Sequence, residues 1–277
     1  MHRACCEQDR NQILQYISSE PEVNLYISGD IDQYGIKFPV SVEAFGARFP
    51  WDAIVLSLSY NYVVYSRTMD YSPFEIASYI NASAEGNIPR HINARLDIAE
   101  SLKPFFPEMH LHACRIASLH RAAQVQYASI KVKESEGIVV RKLATNDFDA
   151  LFELFSHVDE TSQGYATVKQ RNEARTRKEM SAKAGCVTYG TFRYGKLVST
   201  AATSVASSSG AMITDVATLP AERGNGYASA ALYAVCRECF SRGMDYVSLY
   251  YENPIAAALY HKLGFIDIDE FGMFGLH

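Results

Sequence analysis

The chain has 277 residues, 48% of them hydrophobic and 21% charged, so it can bury a sizeable core and is not wholesale disordered. Its 26 Lys and Arg against 31 Asp and Glu leave a formal charge of -5, which gives no electrostatic footprint for nucleic acid or an anionic membrane. No apolar run approaches the ~18 residues that span a bilayer, and the opening MHRACCEQDR puts charges where an export signal would begin its apolar core, so a cytoplasmic protein with neither partner is expected.

At roughly 100–200 residues per domain the length favours two domains. The first element is a helix over Glu7 to Ser19, with Ile13, Leu14 and Ile17 at helical spacing until Glu20-Pro21 stops it. A polar, Gly-containing loop, NLYISGDIDQYGI, follows. From Lys37 to Arg67 the period becomes two, through Phe38, Val40 and Val42, then Ile54, Leu56 and Leu58, then Tyr62, Val64 and Ser66, which reads as consecutive strands. Ser72-Pro73 opens a helix to about Ala84, since proline suits the first helical position. A strand and helix lie in 88–104, and Met109 to Leu119 is a further strand. Residues 120–136 are the candidate linker.

After it, Gly137 to Leu143 reads as a strand, and Thr145-Asn146-Asp147 supplies N-cap chemistry for a helix through Leu151, Leu154 and Phe155. A polar helix follows at roughly 165–183. Strands come next at Cys186–Arg193, Leu197–Ala206 and Ala211–Leu219, the first two joined by a Tyr194-Gly195 hairpin turn.

The strand ending at Leu219 runs into PAERGNGYA and then a helix through Leu232, Val235, Cys236 and Phe240. Without a Cβ, Gly224 and Gly226 let the backbone approach an anion, and the unpaired amides of the helix start point outward with the positive dipole end behind them. A phosphate or diphosphate fits such a turn. A Rossmann turn would need glycine at 229, which is Ser229, and belongs early in a parallel array rather than after hairpin-linked strands. Further on, the strand Tyr246 to Tyr250 leads to an Asn253-Pro254 helix start, a shared face of Ala256, Leu259 and Leu263, and Gly264 as the stop.

These two segments resemble the GNAT superfamily of N-acetyltransferases. Its cofactor motif R/Q-x-x-G-x-G/A is met by Arg223, Gly226 and Ala228. Its N-x-x-A-x-x-L-Y-x-K-L-G-F ending is met by Asn253, Ala256, Leu259, Tyr260, Lys262, Leu263, Gly264 and Phe265. The likeness covers Ile138 to the C-terminus. It implies an α+β fold with a mixed, mainly antiparallel sheet flanked by helices over 137–277, preceded by a second domain over 1–132 that lacks both motifs but whose strand and helix order is compatible with a degenerate copy. That first domain would cover the acceptor side or support the catalytic domain.

The resemblance also implies roles. Amides of Gly224, Asn225, Gly226, Tyr227, Ala228 and Ser229 would hold the diphosphate of acetyl-CoA or another short acyl-CoA, with Arg223 opening the loop. Main-chain groups of Val216, Ala217 and Thr218 would bond the pantetheine arm and polarise the thioester carbonyl. Asn253 would bond the pantetheine or fix the splay of the two parallel strands. Tyr260, at the family's acid position, would protonate the departing thiolate. At the family's usual base positions this chain has Met212 and Ser248, so the base is either Asp215 or water. The acceptor expected is a small-molecule amine. A non-catalytic acyl-CoA sensor is the alternative, and transfer from aminoacyl-tRNA is disfavoured by the acidic balance.

Other patterns carry less. The six cysteines are too sparse for a disulfide framework. Cys236-x-x-Cys239 sits inside a helix without a second pair, and His110, His112 and Cys114 lack a fourth ligand, so no metal is expected. Trp51, Tyr60, Tyr62, Tyr65 and Tyr71 read as a packed sheet, since a platform for single-stranded nucleic acid would interleave Lys and Arg.

Overall fold

The computed structural model describes residues 1–122, 137–159 and 161–276; nearly all of the candidate linker at 120–136 lies outside them. The first half runs β1 (His2–Ala4), α1 (Arg10–Ile17), α2 (Leu25–Tyr34), β2 (Val40–Phe45), β3 (Ala53–Leu58), β4 (Asn61–Tyr65), α3 (Pro73–Ser83), β5 (His91–Arg95), α4 (Leu96–Leu102) and β6 (His110–His120). The second half runs β7 (Ile138–Lys142), α5 (Phe148–Ser156), α6 (Val168–Lys183), β8 (Thr188–Arg193), β9 (Lys196–Ala206), β10 (Gly210–Thr218), α7 (Tyr227–Ser241), β11 (Tyr246–Tyr251), α8 (Pro254–Lys262) and β12 (Ile266–Gly275). Helix for helix and strand for strand, the two orders are the same. In both, the fourth and fifth strands, β4 with β5 and β10 with β11, are parallel partners in an otherwise antiparallel set. The fold is α+β and duplicated.

By contacts the chain forms two compact units that do not follow chain order. One comprises Met1–Ala117, Tyr250–Asn253 and Asp267–His277, the other Ser118–Leu249 and Pro254–Ile266. The C-terminal strand thus groups by contacts with the first half of the chain. β12 lies antiparallel to β5, with Phe271 opposite Arg95 and Gly275 opposite His91, so it takes the place beside β5 that a self-contained first copy would give to its own last strand.

In the first unit the sheet order is β1-β2-β3-β4-β5-β12-β6. Alternation sends Ile54 and Leu56 of β3 into one cluster with Ile13, Ile17, Ile27 and Ile31 of α1 and α2, and Val55 into another with Ile76, Ile80 and Ile98 of α3 and α4. Both faces are covered, so Val55 is buried as well as Ile54 and Leu56 of the period-two set. The stretch expected as the loop NLYISGDIDQYGI is instead the helix α2. Leu25, Ile27 and Ile31 are fully buried there, and that packing outweighs the cost of about 1 kcal/mol for Gly29 within a helix.

In the second unit the order is β11-β10-β9-β8-β7. One face carries α5, whose Leu151, Phe152 and Phe155 pack with Phe192, Leu197 and Ala217. The long apolar side of α7, including Ala231, Leu232, Val235 and Cys236, is buried. α6 is different: of its sixteen residues only Ala174 is buried, as its polar sequence implies. Among the described residues no helix is long and apolar enough to cross a membrane.

Candidate functional site

β10 ends at Thr218, a single 3-10 turn follows at Pro220–Glu222, and the chain enters α7 through Arg223, Gly224, Asn225 and Gly226. Gly224 and Gly226 have φ of +81° and +82°, the left-handed region that glycine occupies without strain, and no atom lies within 4 Å of where a Cβ would stand on either. The space in front of the loop is open. Gly226 is the N-cap of α7 and offers no side-chain acceptor, the first turn holds no acidic residue, and the first amide to bond back into the helix is that of Ala230, at 3.1 Å from the Gly226 carbonyl. The amides before it have no intrahelical acceptor.

The loop is braced from behind. Arg193 grips the Glu222 carboxylate at 3.0 Å, Asn225 Nδ2 donates to the Glu222 carbonyl at 3.1 Å, and Arg223 Nε donates to the Thr218 carbonyl at 3.4 Å. The buried Thr191 hydroxyl donates to the Tyr227 carbonyl at 2.9 Å. These bonds use side chains and carbonyls rather than the amides from Gly224 to Ser229.

Beside the loop, one ladder of β10 stops short. Its parallel ladder with β11 runs from Gly210–Tyr246 to Ile213–Leu249 and ends there, while its antiparallel ladder with β9 continues to Thr218–Ser199. Val216, Ala217 and Thr218 therefore lie beyond the end of the β11 ladder. On the other side Ser199 fixes this end, its hydroxyl donating to the Ala217 carbonyl at 2.7 Å and meeting the Thr218 hydroxyl at 2.8 Å.

Between these segments the register slips. Thr214 faces Ala202 and Ala217 faces Thr200, so Asp215 and Val216 together stand opposite Ala201. This is a β-bulge, and Asp215 takes φ +54°, a conformation that costs about 1–2 kcal/mol for most residues and is commonest for Asn and Asp. Its carboxylate is paired with the ammonium of Lys178 on α6, and Thr214 Oγ1 donates to its other oxygen at 3.4 Å. Strict alternation across β10 is thus broken at the residue considered as a base. Sequence reasoning missed Lys178, because nothing in a polar helix singles out one lysine among many.

Met212 and Ser248 face each other in the β10–β11 ladder and are both buried, Ser248 donating to Ser118 at 3.3 Å. Neither is a proton acceptor of use. Tyr260 lies in the last turn of α8, 7% exposed, with its ring 5.9 Å from that of Phe265, and burial pushes its phenol up to about 12. Asn253 immediately precedes Pro254, the first residue of α8, and is exposed. Among the described residues no group of three or more His, Cys, Asp or Glu is placed to hold a metal ion; Cys114 is buried and donates to the Phe271 carbonyl while His110 and His112 are exposed.

An uncapped glycine loop before a helix, a parallel strand pair whose ladder stops at Ile213 and a bulge just beyond it lie together on consecutive elements of the second half. Residues 148–265 match the family model of the GNAT acetyltransferases, a family whose chemistry is acyl transfer from an acyl-coenzyme A co-substrate. No curated protein matches the sequence. Among solved structures, a Drosophila protein aligns with 11% identity over 99% of this chain and 98% of its own, at a TM-score of 0.69. A tandem GNAT protein from the clavulanic acid biosynthesis pathway aligns with 12% identity over 99% and 97%, at 0.62. A GCN5-related N-acetyltransferase from Sphaerobacter thermophilus aligns with 15% identity over 99% and 94%, at 0.61. At these identities the likeness is one of fold, and it extends through both halves.

Proposed function

We propose that this protein is a cytoplasmic N-acetyltransferase that moves an acetyl or other short acyl group from acyl-coenzyme A to the primary amine of a small molecule. The observation that carries the reading is the uncapped start of α7 after two left-handed glycines, beside the stretch of β10 past Ile213 that has no ladder with β11. The amides and the dipole of α7 hold the diphosphate, and Arg223, exposed at the mouth of the loop, adds a positive charge. Val216, Ala217 and Thr218 hold the pantetheine arm through their main chain, with Asn253 as a further polar contact. Bound there, the acyl-coenzyme A supplies an activated thioester carbonyl.

Two proton movements belong to the protein. Tyr260, with its phenol near 12, stays protonated across the physiological range and donates to the departing sulfur. The attacking amine must first be neutral, and its proton goes to water, since the Asp215 carboxylate is already engaged by the Lys178 ammonium. Asp215 is then a residue that shapes the strand. The test is turnover of acetyl-CoA against a panel of primary amines, followed by thiol release. Turnover that Tyr260→Phe abolishes supports the enzyme; binding of acetyl-CoA with no turnover of any amine returns the non-catalytic sensor.

A further inference from the structure

The ion pair between Lys178 and Asp215 joins a helix that is almost wholly solvated to the second of two register slips of β10 against β9, the one that precedes Val216 to Thr218. α6 is held to α5 by Arg175 on Asp149, at 2.5 Å, and by Arg171 on Glu153, at 3.5 Å, both at exposed carboxylates. Lys178 is different. Its side chain is 14% exposed and that of Asp215 24%, so the pair sits largely out of water, where each partner depends on the other far more than in a surface pair. Asp215 is also the residue of β10 in the left-handed conformation, one half of the two-for-one bulge opposite Ala201. The ring of Tyr165 packs on Phe152 and Phe155 of α5.

We propose that Lys178, acting through Asp215, is a positioning residue for acyl transfer: it holds the bulge of β10 so that main-chain amides after it point at the thioester carbonyl. The inference rests on the acyl-coenzyme A reading above. A bulge has a competing conformation, the regular strand, and Asp215 leaves its left-handed φ by taking that route. Paired with a nearly buried ammonium, the carboxylate is fixed on the α6 side and the backbone at 215 cannot relax. Without Lys178 the carboxylate is left unpaired and partly desolvated, and it turns toward water, taking the bulge with it. The diphosphate grip lies in a separate segment, Gly224 to Ser229, so the loss falls on carbonyl polarisation rather than on affinity.

The direct readout is the infrared stretch of the acetyl carbonyl, isotopically labelled, in acetyl-CoA bound to the full chain, which needs no acceptor. In the unmodified protein the band lies below that of free acetyl-CoA. In Lys178→Met and Asp215→Asn it returns most of the way to the free position while the calorimetric Kd for acetyl-CoA changes less than about threefold. Lys178→Arg, which keeps the charge, retains the shift. The double variant shows no more loss than either single one, because both remove the same constraint. A band that stays shifted in Lys178→Met or Asp215→Asn overturns the inference, and so does an unmodified protein whose bound carbonyl absorbs at the free position. Failure of the unmodified protein to bind acetyl-CoA at all overturns instead the reading on which the inference rests. Should Lys178→Met not fold, Asp215→Asn and Lys178→Gln decide by the same band.

Discussion

Two helices hold the same place in the two halves of the chain, α3 after β4 and α7 after β10, and their first turns are opposite in chemistry. α3 caps itself: the Ser72 hydroxyl accepts from the Glu75 amide at 3.3 Å, Pro73 removes one donor, and Glu75 sets a carboxylate at the positive end of the dipole, where it also meets the terminal ammonium of Met1 at 3.2 Å. The segment leading into it, Ser66 to Ser72, has no glycine. α7 starts on a left-handed glycine with no side-chain cap and no acid in its first turn. The last helices diverge likewise, since α8 contains Tyr260 and its counterpart α4, with the sequence LDIAESL, has no tyrosine. The same fold thus appears once with this helix start capped by its own side chains and once with it uncapped. Duplicated architecture does not duplicate a site: only α7 keeps the uncapped start that the proposed diphosphate grip needs.

The largest effect expected from breaking this contrast is at the acid. Tyr260→Phe lowers kcat by about 100-fold or more while the Kd for coenzyme A stays the same, read by stopped assays and calorimetry; an equal kcat removes Tyr260 from the chemistry. Next comes the grip itself. Gly226→Val, which puts a Cβ in front of the amides at φ +82°, weakens coenzyme A by about 100-fold, close to 3 kcal/mol, beyond the strain of about 1–2 kcal/mol it adds to folding. At the matching position of the other half the sign of the result is reversed: Ser72→Ala costs about 1 kcal/mol of stability in chemical denaturation and leaves coenzyme A binding untouched. The smallest effect is one the halves share. Tyr65 and Tyr260 are both pushed up to about 12, burial being the main cause in each, against an unfolded value near 10. The folded state therefore holds these protons longer than the unfolded chain. Their stabilisation is complete below pH 10 and is lost as the pH rises through 12, so denaturation midpoints fall between pH 10 and 12, and Tyr65→Phe makes that fall shallower.

What could be read from the residues was local. The glycines and arginine of the 223–228 loop, the Asn253–Phe265 pattern and the Ser72-Pro73 helix start are all signals within one turn of the chain, and each lies where its spacing indicates. The hairpin turns at Ser59-Tyr60 and Tyr194-Gly195 belong to the same class, with positive φ at all four residues. What escaped was settled by distant partners. α2 reads as a loop because Gly29, Asp30 and Asp32 interrupt its pattern, and only burial against α1 and β3 makes it a helix. The exchange of β12 to β5 depends on which edge is vacant, and no periodicity records that. The bulge at Asp215 hides inside an ordinary strand pattern, and its latch, Lys178, stands 37 positions away on a helix whose neighbouring lysines and arginines look equivalent.

Titration calorimetry of the full chain with coenzyme A decides whether the start of α7 binds the diphosphate while the start of α3 does not. The expected result is a single site per chain, lost in Gly226→Val and retained in Ser72→Ala. Two sites per chain, no heat of binding at all, or undiminished affinity in Gly226→Val would contradict it.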